Sequence, residues 1–308
     1  MSVLTPQEVI DKLQQGLPLA KQELAHIELQ GQCLDGGDFS QSYMRVSNLS
    51  NASCKQTNFT DTLLIRAWLV ETILEEATLI RAQLTAARLE RANLRHAIAT
   101  QTRFLGAIFD GADASHATMQ QANLEDCSAR RAIFQATDLV KANLKASDWT
   151  EADLSSAKLV QADLDGANLT RAKLVGTQLD KSILKRARIA QANLTSADVI
   201  GANLTEAYLA ESDASQAQFD TAIADRAYAN GVNFSGASLF GSSWERVNLA
   251  GANFTGANLG DANFEQANLR GVIFDGANVV GASLTDAVGL SDEQKTWLHK
   301  EGALNVPK

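Results

Sequence analysis

Apolar residues recur along this chain every five positions, a spacing that belongs to neither an α-helix nor a flat strand. In the stretch 191–210, QANLTSADVIGANLTEAYLA, an aliphatic centre follows a small residue by two positions, pentad after pentad. Counting in fives from Leu29 to Leu284 gives 52 pentads without an insertion or a deletion. Leu or Phe fills 38 of those 52 centres, and Ala fills 33 of the positions two residues earlier, so two side chains per pentad are set to point inward. A helix would repeat about every 3.6 residues and a strand every second residue. The pattern therefore predicts a chain that turns a corner every five residues around a narrow apolar interior.

Departures from the pattern are compensated. The centres Ala99, Ala114 and Ala129 lie among Phe104, Phe109, Met119 and Phe134; Ala214, Ala224 and Ala229 accompany Phe219, Phe234 and Trp244. Small beside large keeps an interior close-packed. Trp149 and Trp244 are the bulkiest centres: they predict local bulges, and their indole N–H groups need acceptors. Cys54 and Cys127 fall on inward positions and, with Cys33, form no CxxC pair or disulfide framework, which fits a packing role.

QANLTSADVI, QADLDGANLTRAKL and GANFTGANLGDANFEQANL resemble the A(D/N)Lxx consensus of pentapeptide-repeat proteins, over about residues 27–286. The resemblance implies an all-β solenoid, a right-handed quadrilateral β-helix with four pentads per coil and hence about 13 coils. At a coil spacing of about 4.8 Å the stack would be roughly 60 Å long. The ends of a solenoid need covers. Residues 1–26 predict an N-terminal helical cap: Thr5 as N-cap, Pro6 at N1, Glu8 completing a capping box, Val9, Ile10 and Leu13 as the apolar stripe, and Gly16 as the stop. Residues 287–308 predict a C-terminal helix and tail, with Ser291 and Gln294 as the box, Trp297 and Leu298 as the apolar face and Gly302 at the end. That helix is also a candidate homodimer seam, since related proteins can pair through this end.

Charge narrows the partners. The net charge of −9 is uneven: residues 1–60 carry −2, residues 61–200 are neutral, and residues 201–308 carry −7. Direct nucleic-acid binding needs a basic face, and the cluster Lys181, Lys185, Arg186 and Arg188 reads as a solvated corner. No apolar run approaches the roughly 20 residues of a membrane span. The start, MSVLTPQEVI, lacks the basic and apolar regions of a signal peptide, so a cytoplasmic protein is expected, with signal-less export open. Nucleophile elbow, P-loop, HExxH and dinucleotide motifs do not occur, so the expectation is no enzyme and no cofactor. Asp and Asn before the centres fit side chains that bond nearby backbone rather than catalytic pairs.

Residues twenty apart should stack in adjacent coils, so surface columns can be read directly. Glu76, His96 and His116 form one column, a candidate set for a loosely held metal. Val140, Val160, Ile200, Phe240 and Val280 form another, interrupted by Asp180 and Asp220, and are the candidate partner surface. Tyr208 and Tyr228 should pack across coils. The resulting expectation is a bacterial scaffold or adaptor that binds a protein partner without chemistry. Resemblance to secretion-associated repeat proteins, including those near type VI secretion genes, adds an association with such a machine. The alternative implied by the family is a DNA mimic that binds DNA gyrase, of the fluoroquinolone-resistance type, acting through Asp220, Asp225, Glu245 and Glu265.

Overall fold

The computed structural model describes residues 4–308, in two compact units divided between Lys158 and Leu159. Within each unit, parallel bridges join residues twenty apart, such as Glu28 with Asn48 and Asn233 with Asn253. Twenty residues thus make one coil, and four pentads make its four sides.

The corners explain the period. Every fifth residue from Lys21 to Asp286, two positions after a centre, has φ between 53° and 76°. The small residue that follows donates its N–H to the carbonyl of the preceding centre, as Ala52 does to Leu49 at 3.0 Å. One left-handed residue in the second central place of a four-residue turn is type II geometry, which favours glycine. Gly251 (φ 73°) meets that demand without strain, whereas residues with a Cβ are held there by the coil. Asn51 is held in this way, its N–H bonding Val70 O at 2.9 Å in the next coil.

One N–H per pentad, just after the centre, is left for a side chain. Asn48 Oδ1 accepts it from Ser50 at 3.1 Å, and Asn253 Oδ1 from Thr255 at 3.0 Å, which is why Asn and Asp precede the centres. At several pentads where serine stands there instead, an aspartate of the preceding coil takes over. Asp35 Oδ1 accepts both Ser53 Oγ (2.6 Å) and Lys55 N (2.8 Å). Asp110 does the same for Ser128 and Arg130.

The interior is filled as the sequence predicts. Phe104, Phe109 and Phe134 are fully buried in edge-to-face contact, at 5.0 and 5.9 Å between ring centroids, with Ala99, Ala114 and Ala129 buried beside them. Cys54 and Cys127 are buried free thiols whose pKa burial pushes up; Cys33 is exposed. The expected bulges at the tryptophans do not occur. Trp244 keeps its ladder bond to Asn263 O (2.7 Å), and Ala152 N still closes the corner on Trp149 O (3.0 Å). Each indole lies in register with an alanine centre one coil earlier, Ala129 for Trp149 and Ala224 for Trp244, which supplies the room.

Two helices flank the repeats. Helix α1 (Pro6–Gln14) starts with the Thr5–Glu8 capping box and buries Val9 completely. A Cβ on Gly37 would lie 2.8 Å from Phe39 Cε2 and 3.0 Å from both Leu13 Cδ1 and Leu34 O, so this inward position beside the helix is glycine. Helix α2 (Asp292–Lys300) starts with the Ser291–Gln294 box, buries Leu298 and stacks Trp297 on Phe274 at 6.0 Å. The chain then returns: Gly281 N reaches Gly302 O and Leu284 N reaches Leu304 O, both at 3.0 Å. No helix among the described residues is long and apolar enough to cross a membrane.

Candidate partner-binding surface

The segment 62–70, TLLIRAWLV, places apolar side chains outward as well as inward. Leu64, Ala67 and Leu69 enter the core, while Trp68 is 46% exposed and Leu63, Ile65 and Val70 are half-buried. One coil earlier, Tyr43 is 49% and Val46 38% exposed. Val46 occupies a corner with φ 58°, a conformation rare for a β-branched side chain. With Ala25, His26, Arg45, Ile65 and Arg66 it lines a surface depression of about 620 Å³. A second depression, of about 280 Å³, runs from His26 and Val46 to Glu28, Asn48 and Trp68.

Arginines border this apolar corner. The Arg88 guanidinium lies 5.0 Å over the Trp68 ring and is steadied by Glu90, which accepts from Nε (2.9 Å) and Nη2 (2.6 Å). These bonds, then the Glu90 charge, raise the Arg88 pKa. Arg45 and Arg66 make no ion pair among the described residues. Exposed Trp and Tyr with arginine neighbours is the composition of interface centres.

The column predicted from the sequence is unevenly exposed. Val140 is half-buried in the first unit, and Val160 and Ile200 are half-buried in the second. Phe240 (44%) and Val280 (61%) are exposed. The Phe240 ring comes within 3.1 Å of the Cβ position of Gly260, where any side chain would crowd it. Asp220 accepts Ser238 Oγ and Phe240 N (3.1 Å), so it holds backbone rather than pointing freely to solvent. Asp225 is used in the same way by Ser243 Oγ (2.6 Å) and Glu245 N (3.1 Å). Glu245 pairs with Arg246 at 3.3 Å, and Glu265 accepts a long 3.5 Å bond from Gln266.

His96 and His116 stack at 5.2 Å, but Glu76 is taken by Gln56 Nε2 at 2.7 Å. Among the described residues no three His, Cys, Asp or Glu side chains gather as a metal group. Tyr208 and Tyr228 stack across coils at 4.7 Å, with planes 4° apart.

The family model for pentapeptide repeats matches residues 57–95, 87–126, 107–145, 150–186, 187–223 and 248–286, with eight copies. The chain belongs to the pentapeptide-repeat family. No curated protein matches this pentapeptide-repeat chain. Among solved structures it is similar to HetL, a pentapeptide-repeat protein involved in heterocyst differentiation regulation from the cyanobacterium Nostoc sp. strain PCC 7120. Identity is 29%, over 71% of this chain and 89% of that one, with a TM-score of 0.48. It is also similar to a trypsin-treated form of QnrB1, a plasmid-mediated fluoroquinolone resistance protein, at 18% identity over 69% and 91% of the two chains, TM-score 0.42. Rfr23 from the cyanobacterium Cyanothece 51142 is 26% identical over 39% of this chain and 90% of its own, TM-score 0.29.

The partner column predicted from the sequence runs one position after each centre and does not include this corner. The flat-side residue just before the centre, where Tyr43 and Trp68 stand, faces outward more fully. The signal was in the sequence: bulky apolars crowd the non-centre positions of TLLIRAWLV.

Proposed function

We propose that this pentapeptide-repeat protein is a non-enzymatic binding scaffold whose partner docks across the Tyr43, Val46 and Trp68 corner. One observation carries the reading: exposed aromatic and β-branched side chains stand beside Arg45 and Arg66, which have no ion-pair partner among the described residues. The partner surface that fits is an acidic protein segment with apolar side chains, its carboxylates meeting the arginines and its apolar groups filling the depression at Val46. Trp68 would be the anchor, with truncation expected to cost about 2 kcal/mol or more. Phe240 and Val280 offer a second contact patch in the other unit. Helices α1 and α2 serve as end covers. Association with a secretion machine is not needed for this reading.

A comparative pull-down from the native host tests it, using the wild type, Trp68→Glu, Phe240→Lys and the pair Asp225→Lys with Glu245→Lys. Loss of the partner in Trp68→Glu alone supports the corner. Loss confined to the acidic pair, together with gyrase inhibition by the wild type, would replace it with the DNA-mimic reading.

A further inference from the structure

The last coil leaves one edge open in a patterned way. In the coil before it, Phe254 N donates to Ile273 O and Gly256 N to Asp275 O, both at 2.8 Å. The equivalent donors one coil on, the N–H groups of Phe274 and Gly276, have no protein acceptor among the described residues. The neighbouring side is partly covered by the returning chain, through Gly302 and Leu304. The third ladder group of the open side, Val272 O, is already occupied: Gln294 Nε2 of α2 donates to it at 2.8 Å.

The residues that carry those two donors line a slot. Val272, Ile273 and Phe274 form one wall and Gln294 and Trp297 of α2 the other, around a volume of about 620 Å³. Ile273 is 45% exposed at its edge, and Asp275 and Glu293 put two carboxylates on its rim. A sheet edge beside an apolar slot is where an extended peptide can add as a strand: its main chain meets the edge and alternate side chains enter the pocket. The open groups specify the strand's chemistry. It must present two carbonyls two residues apart, running parallel to 272–276, and the acidic rim calls for lysine or arginine between its apolar residues.

We infer that this edge binds an extended basic and apolar segment of a partner protein by strand addition, at a site separate from the Tyr43–Trp68 corner. The strand completes the ladder at Phe274 and Gly276 without displacing Gln294 from Val272. Its apolar residues pack on Ile273 and Trp297.

The test uses the full chain and an acetylated ten-residue peptide of alternating valine and lysine, with a valine–glutamate peptide as control. Site-resolved amide hydrogen exchange is read at Phe274 and Gly276. In the free protein both amides exchange fast; saturating lysine peptide slows them by about tenfold or more, while the glutamate peptide does not. The exposed pair Asp275→Lys with Glu293→Lys reverses the preference between the two peptides, which a mere loss of folding could not do. Three results would overturn the inference: no binding of the lysine peptide, binding that leaves both amides unprotected, or a dimer by sedimentation that protects them without peptide. The last would assign the edge to a second copy of this chain.

Discussion

The indole N–H of Trp244 donates to the hydroxyl of Ser242, 2.8 Å away and two residues earlier in the chain; Trp149 does the same to Ser147 at 2.7 Å. Each serine hydroxyl in turn donates to a backbone carbonyl, Leu239 O or Leu144 O, so the buried group is satisfied on both sides. Alanine is the usual residue at this position, and beside each tryptophan centre a serine supplies the acceptor that alanine could not. Ser242→Ala should therefore destabilise the protein by about 1–3 kcal/mol, the cost of an orphaned buried donor. The hydroxyl of Ser212, at the same position of another pentad, has no partner. Ser212→Ala should be neutral or stabilising by about 1 kcal/mol. Urea denaturation of the two variants checks both signs, and equal losses would refute the assignment.

Val46 should trade stability for binding. Its left-handed backbone is strained for a β-branched residue, and it lines both depressions of the candidate surface. Val46→Asn relieves the backbone and should stabilise the fold by about 1 kcal/mol, while weakening the partner complex. Thermal melting and partner affinity are the paired readouts; a variant that is less stable would show that the conformation is not strained.

Two aspartates should respond to acid in opposite directions. The carboxyl of Asp61 is held below its usual range, first by hydrogen bonds from Arg81 Nε (2.8 Å) and Nη2 (2.6 Å), opposed in part by burial, and then by the Arg81 charge. The stability it contributes is present above the ordinary carboxylate range and is lost as pH falls through the lowered value. Asp198 is shifted up, first by burial, against a bond from Ile200 N at 3.2 Å, and further by Asp180 and Asp220. A raised carboxyl pKa means that the native state binds the proton more tightly, so the penalty is full above the raised value and fades below it. Asp180→Asn should stabilise the protein at neutral pH, with the gain shrinking in acid. Carboxyl NMR titration of wild type, Arg81→Gln and Asp180→Asn follows both groups; an unmoved Asp198 would contradict the coupling.

The five-residue period, the inward pairs, the capping boxes and the cross-coil Tyr208–Tyr228 stack were legible because each depends on residue type at a fixed spacing. The corner conformation was not drawn from the same letters, although glycines such as Gly251, Gly256, Gly271 and Gly276 mark its place. Most corners carry no glycine, since the ladder holds residues such as Asn51 in the left-handed region. The roles of Asp220 and Asp225 were hidden for a different reason. Their partners lie 18 and 20 residues ahead, so the carboxylates looked like free surface charge when read along the chain. Exposure was hardest to judge: the residue after a centre tucks into the corner, leaving Val160 and Ile200 half-buried.

Photo-crosslinking in the native host tests the scaffold account most directly, with benzoylphenylalanine placed in turn at Tyr43, Phe240 and Glu245. The account predicts a partner adduct from position 43 that Trp68→Glu abolishes. Adducts confined to position 240 or 245, and insensitive to Trp68→Glu, would contradict it.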